Sequence, residues 1–332
     1  MKKITYLSLF SGIGGFEQAI HSLFDAECLG YSEIKPHALK VYKTHFPSHK
    51  NLGDVTKITE KDIEQLGWCD LVVGGFPCTN LSSLAHIKGD SRGLKGDSSK
   101  LFYDMVRIIH VLLKRNPNLH FLIENNASMS KQNKNLITKE LEKLGRIVYM
   151  TKIDSAIFGV QTRKRLYWTT FPVDKHTQIV QSWIDVLAPM GECKPISQNY
   201  IDCLNRTIPS RIKILFRVFY NGTDFERIPH DDYSRSRWQC SFHSDTTEEK
   251  SPFYAYPVGK CRPITASFGN HNVLVDRRFN PFRIRLFEIS EIEKLFGYPC
   301  GYTKSLKSRS KAIDCLGNTV VVHVIRFILG QM

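Results

Sequence analysis

Phe76-Pro77-Cys78 follows the apolar run Leu71-Val72-Val73-Gly74-Gly75, which reads as a short buried strand. A cysteine just past such a strand lies where open α/β sheets hold their reactive groups. Proline fixes the backbone one residue before the thiol, and the two glycines permit a close backbone approach to a ligand. As a thiolate, Cys78 is a nucleophile; a cysteine alone is as readily a small core residue. Three further groups bear on that choice. Glu124 follows the apolar run Phe121-Leu122-Ile123, and Arg163 and Arg165 precede the apolar run that opens at Leu166. A carboxyl and two guanidiniums at strand ends offer proton transfer and fixed positive charge. Taken singly, Glu124 also reads as a helix cap and the arginines as phosphate contacts.

A second group of residues has the character of a nucleotide site. Phe10-Ser11-Gly12-Ile13-Gly14-Gly15 joins an apolar strand to a helix, and glycines there bring a helix N-terminus to a ligand. Glu33 ends the next strand, at a distance along the chain that suits an acid binding ribose hydroxyls. Gly53-Asp54-Val55 adds a loop whose carboxylate can accept from a base amino group or cap a turn. The loop lacks a full GxGxxG, which argues against hydride transfer from a dinucleotide.

These groups need a scaffold of alternating strands and helices. Ile4–Phe10, Cys28–Ser32, Leu71–Gly74, Phe121–Ile123 and Leu166–Thr170 read as strands, and Gly14–Phe24 and Lys100–Lys114 as helices. The expected fold class is α/β, a Rossmann-like, mostly parallel sheet with a second, smaller, irregular domain. The boundaries expected are 1–174 for the first domain, 175–262 for the second, and 263–332 for a segment returning to the first. Ile289–Phe296 reads as a helix and Val320–Leu329 as a strand or a helix.

Lys plus Arg number 46 against 32 Asp plus Glu, a net charge of +14, which favours a polyanionic partner such as nucleic acid. Nine cysteines without a CxxC pair argue against a disulfide scaffold or a zinc ribbon, and no metal is expected. No secretory leader and no membrane-spanning run is read, so an intracellular location is expected.

The set of motifs resembles the DNA cytosine-5 methyltransferases. It is carried by Phe10-Ser11-Gly12-Ile13-Gly14-Gly15, Gly75-Phe76-Pro77-Cys78, Glu124-Asn125, Gln161-Thr162-Arg163-Lys164-Arg165, Arg262-Pro263-Ile264-Thr265-Ala266-Ser267 and Gly317-Asn318-Thr319-Val320, in that order. The resemblance implies S-adenosylmethionine as methyl donor. Phe10, Gly12, Ile13, Gly14, Gly15, Glu33, Asp54, Val55, Pro77, Leu101, Asn318 and Val320 would form its site. It implies Cys78 as the nucleophile adding to cytosine C6, and Glu124 as a protonated donor to N3. One of Arg163 and Arg165 would stabilise O2 and the other orient Glu124. A base inside a duplex must flip out to be reached, and the loop after Cys78, with Ser82 and Arg92, would close over it.

The family places target recognition in the stretch between its conserved motifs, where Arg235, Arg237 and Gln239 are candidate base readers. The expected partner is double-stranded DNA, bound by a monomer with no obligatory protein partner. This sequence has Thr79-Asn80-Leu81-Ser82 where the family has Gln-x-Phe-Ser, Asn126 where it has valine, and Lys35 at a position often acidic. Two alternatives stand beside this reading. One is a tRNA cytosine-5 methyltransferase, whose Cys-Phe-Thr signature is missing; the other is a catalytically silent DNA-binding relative.

Overall fold

The computed structural model describes residues 1–77, 97–189, 216–220, 253–256, 261, 263–266, 272–276 and 283–332. Six strands form the main sheet: β1 (Lys3–Leu9), β2 (Asp25–Ser32), β3 (Leu71–Gly74), β4 (His120–Asn126), β5 (Tyr149–Asp154) and β6 (Lys164–Thr169). Their order is β2-β1-β3-β4-β6-β5. β1 to β4 pair in parallel, and β6 runs antiparallel to both of its neighbours.

Side chains alternate across the sheet, as the pleat requires. Ile4 and Tyr6 of β1, Leu71 and Val73 of β3, and Leu122 of β4 enter one core. Leu7 and Leu9, Val72, and Phe121 and Ile123 enter the other. Both faces are therefore covered, which explains why these strands read as nearly continuous apolar runs.

The first core is closed by α1 (Gly15–Leu23), α2 (Pro36–His45), α7 (Ile289–Leu295), α8 (Arg309–Asn318) and α9 (Val322–Leu329). The second is closed by α3 (Glu60–Gln65), α4 (Asp97–Arg115) and α5 (Lys131–Glu142). A short α6 (Trp183–Val186) packs on α7. The ambiguous C-terminal stretch is helical, and α9 lies against α1, joining the two ends of the chain. Arg309–Leu329 as a whole is apolar enough for a membrane span, contrary to expectation, but most of it is buried inside the fold. It comprises α8 and α9, separated at 319–321.

Beyond the main sheet, β7 (Phe216–Tyr220), β8 (Phe253–Tyr256), β9 (Asn272–Asp276) and β10 (Arg283–Leu286) form a second sheet in the order β10-β9-β7-β8. β7 is parallel to β8 and β9, and β9 is antiparallel to β10. The described part of this region thus carries a regular sheet, and β9 and β10 belong to it although they lie past residue 262. β7 pairs with strands distant in sequence, and weak local periodicity does not reveal such pairing.

Candidate active site

The C-terminal ends of β1, β2, β3 and β4 deliver Phe10, Glu33, Gly75 and Glu124 to one edge of the sheet. This is the edge where parallel α/β sheets bind ligands. β6 runs the other way, so its beginning reaches the same edge: Arg165 lies opposite Asn126, and Tyr167 opposite Glu124. A cavity of about 320 Å³ opens there, within the usual size of a small-molecule site.

Hydrogen bonds pin the strand-end loops to one another. Ser11 N donates to Ser32 O at 3.1 Å, and Ser32 Oγ donates to Gly53 O at 2.7 Å. Phe10 holds a left-handed backbone at φ 55, and Gly12 follows at φ 59. Gly12 N then donates to Glu33 Oε2 at 3.0 Å. Glu33 Oε1 accepts from Ile34 N and Lys35 N, each at 2.8 Å. The carboxylate is thus fixed by backbone donors while it lines the cavity. Asp54 both caps a turn, accepting from Thr56 N at 3.0 Å, and lines the cavity. Its hydrogen bonds to Thr56 hold its pKa below the ordinary carboxylate value.

Phe10, Gly12, Ile13, Glu33, Asp54, Val55, Pro77, Leu101 and Asn318 all line the cavity. Gly14, Gly15 and Val320 do not line it. A Cβ on Gly14 would fall 2.6 Å from Phe46 Cε2 and 3.2 Å from Tyr302 Oη, and one on Gly15 2.6 Å from Tyr298 Oη and 2.7 Å from Val320 Cγ2. These glycines form a notch that receives the C-terminal segment. Tyr302 Oη donates to Ile13 O at 2.8 Å inside it, and Tyr298 Oη bonds Thr319 Oγ1 at 2.6 Å.

At the opposite wall, Glu124 Oε1 lies 2.9 Å from Arg165 Nε, with the two side chains 15% and 16% exposed. Burial pushes the Glu124 pKa up, while Arg165 and then Arg163 pull it down. Glu124 is part of β4, so the helix-cap reading does not hold. Asn126, expected behind the carboxyl, instead accepts from Ser128 N at 3.0 Å in the following turn.

Arg163 is 4% exposed. Although it borders the cavity, its guanidinium donates to Ile264 O, Gly317 O and Thr319 O, each at 3.0 Å. Of the two arginines, Arg165 is the one that orients Glu124, and Arg163 holds backbone.

Several contributing residues escaped the sequence reading. A Cβ on Gly75 would lie 2.9 Å from Glu124 Oε2, and one on Gly74 2.6 Å from Leu9 O. The glycine pair therefore makes room for neighbouring protein atoms, and Gly75 also lines the cavity. Asn125 Nδ2 donates to Phe76 O at 3.0 Å, fixing the chain that leads to Cys78. His37 Nε2 meets Asp314 Oδ2 at 2.7 Å across the mouth of the cavity. Asp314 Oδ1 also accepts from Asn318 Nδ2 at 3.1 Å. The glycines and Asn125 carried a signal, since they sit inside quoted motifs. His37 and Asp314 carried none, being 277 residues apart. Cys78, Ser82, Arg92, Arg235, Arg237 and Gln239 lie outside the described residues.

The Haemophilus parahaemolyticus Type II methyltransferase M.HhaI is 27% identical over 344 residues, covering 98% of this chain and 93% of that one. The Shigella sonnei Type II methyltransferase M.SsoII is 34% identical over 336 residues, covering 98% and 79%. The match to the Neisseria gonorrhoeae Type II methyltransferase M.NgoBV, 34% identical, covers 51% of this chain and 41% of that relative. Among solved structures, the Entamoeba histolytica methyltransferase EhMeth has a TM-score of 0.66 at 17% identity, covering 100% of this chain and 98% of that one. That likeness establishes the fold. The model of the C-5 cytosine-specific DNA methylases matches residues 4–332, so the chain belongs to that family.

Proposed function

We propose that this chain transfers a methyl group from S-adenosylmethionine to C5 of a flipped-out cytosine in a specific duplex DNA sequence. One observation carries the reading: the Glu124–Arg165 pair and the Glu33 carboxylate face one cavity, beside the Phe76-Pro77 segment that leads into Cys78. The residues present suit the methyl donor. Phe10, Val55, Pro77 and Leu101, which line the cavity, would offer apolar surface to its adenine, Glu33 would accept from its ribose hydroxyls, and Asp54 would accept from the base amino group. S-adenosylmethionine supplies an electrophilic methyl group on sulfonium.

The chain's own groups make the cytosine reactive. The Cys78 thiolate adds to C6, which turns the ring into an enamine with an electron-rich C5. Negative charge then moves toward N3 and O2. Glu124, kept neutral by burial, donates its proton to N3. Arg165 holds that carboxyl in place and supplies the nearby positive charge. After C5 is methylated, its proton passes to water as the Cys78 thiolate leaves, and N3 returns its proton to Glu124, which restores the ring. We assign target recognition to the region of the second sheet, from about residue 190 to 286, with the remainder forming the catalytic domain.

The test incubates the purified chain with labelled S-adenosylmethionine and mixed-sequence duplex DNA or tRNA, with Cys78→Ala alongside. Bisulfite sequencing of the DNA product follows. Cysteine-dependent 5-methylcytosine in DNA supports the reading and identifies the target. Label only in tRNA moves the substrate to RNA, and label in neither points to a silent relative.

A further inference from the structure

Arg163 does more than fill a buried site. Its three carbonyl partners come from two separate parts of the chain. Ile264 lies in the segment 261–266, which connects β8 to β9 of the second sheet. Gly317 and Thr319 flank Asn318, and both Gly317 and Asn318 line the cavity. The guanidinium also sits 5.1 Å from the centre of the Phe296 ring. Two residues further on, Arg165 holds Glu124.

The contact with the connecting segment is close on every side. Cys261 N donates to Val160 O at 2.6 Å, and Thr162 N donates to Cys261 O at 2.7 Å. A Cβ on Gly317 would lie 2.1 Å from Ala266 N, so only glycine admits this approach. Yet none of the described residues of this segment, 261 and 263–266, lines the cavity.

A buried guanidinium presents its donors in a rigid planar fork. It cannot follow one carbonyl without abandoning the others, and a buried group that loses its partner is costly. The connecting segment, the Gly317–Thr319 turn and the start of β6 must therefore shift together or not at all.

We propose that Arg163 is a positioning residue that couples the second sheet to the cavity, so that target engagement and donor binding reinforce each other. This rests on the function proposed above, in which the second sheet reads DNA and the cavity holds the methyl donor. Because such coupling is reciprocal, it can be read from either side.

The first measurement uses the unmodified chain with S-adenosylhomocysteine and no DNA. Amide hydrogen exchange is expected to slow at 261–266 although none of the described residues there lines the cavity. Ligand binding without that slowing overturns the proposal. Failure of the ligand to bind overturns the donor-site reading, and the coupling with it.

The second measurement compares the S-adenosylhomocysteine Kd with and without a duplex carrying the target found by bisulfite sequencing. The expected gain on adding DNA is about tenfold, inside the usual range for coupled sites. In Arg163→Lys, which retains the charge but not the fork, that gain should fall to within about twofold of unity. The Kd without DNA should change less than about threefold. Loss of the same factor with and without DNA would indicate a merely structural role. An unmodified chain that methylates DNA but shows no gain also defeats the proposal.

Discussion

Two buried carboxyls in this molecule share a cause and differ in use. Burial raises the pKa of Glu124, at the edge of the sheet, and of Glu17, on α1. Glu124 faces the cavity and has a guanidinium at 2.9 Å. Glu17 is fully buried and accepts from the Tyr42 hydroxyl at 3.0 Å. Tyr42 in turn bonds His49 Nδ1 at 3.0 Å. Around Glu17 stand Tyr6, Cys28 and Tyr42, with His49 beyond. The Glu17 pKa is pushed up to about 7, and desolvation pushes that of His49 down to about 4. The His49 imidazole is therefore neutral at pH 7. Burial alone makes a carboxyl reluctant to ionise; a cation and an opening to the cavity make it useful for chemistry.

The comparison can be broken in four ways, of decreasing size. Glu124→Gln removes the proton donated to N3, and kcat should fall on the order of 10³-fold with cofactor affinity nearly unchanged. The residual rate of this variant should also lose the limb expected of the parent, in which activity declines as pH rises through the raised Glu124 pKa. Single-turnover methylation across a pH series checks both points.

Glu17→Gln should act on stability instead. The folded pKa of Glu17 is raised from 4.5 to about 7. Folding therefore opposes its ionisation, and stability is lost as pH rises between those values. The full loss corresponds to roughly 3 kcal/mol. Urea unfolding should show the variant gaining about that much on the parent between pH 4 and pH 8, with kcat unaffected. Parallel stability curves for the two proteins would refute the assignment.

Arg165→Lys keeps a positive charge but loses the geometry that holds Glu124, and kcat should drop about 10²-fold. The pH limb should move upward, because a weaker partner favours the neutral carboxyl. Gly75→Ala places a methyl 2.9 Å from Glu124 Oε2. Displacing the carboxyl by a fraction of an ångström should cost about tenfold in kcat, and a fully active Gly75→Ala would mean that the carboxyl has room to spare.

Much of the main sheet and of the cavity lining was legible in the sequence. The strands ending at Gly74 and near Glu124 are short apolar runs buried on both faces, a pattern that local composition reports directly. The glycine loop before α1, Glu33, and the motif residues around Glu124 and Arg165 were identifiable because their chemistry is carried by residue type at a fixed place in a strand or turn. The second sheet was not legible in the sequence, since β7 pairs with strands far along the chain.

The tertiary structure alone decided how identical residue types divide the work. Nothing local distinguishes Arg163 from Arg165, or Gly12 from Gly14 and Gly15. One arginine reaches a carboxylate and the other three carbonyls; one glycine faces the cavity and two face Tyr298 and Tyr302. His37 and Asp314 meet only because α8 packs against α2. Residue type and local spacing determined which functional groups this chain possesses. Folding determined which of them share a wall, because hydrogen bonds and close packing act through distance in space and take no account of distance along the chain.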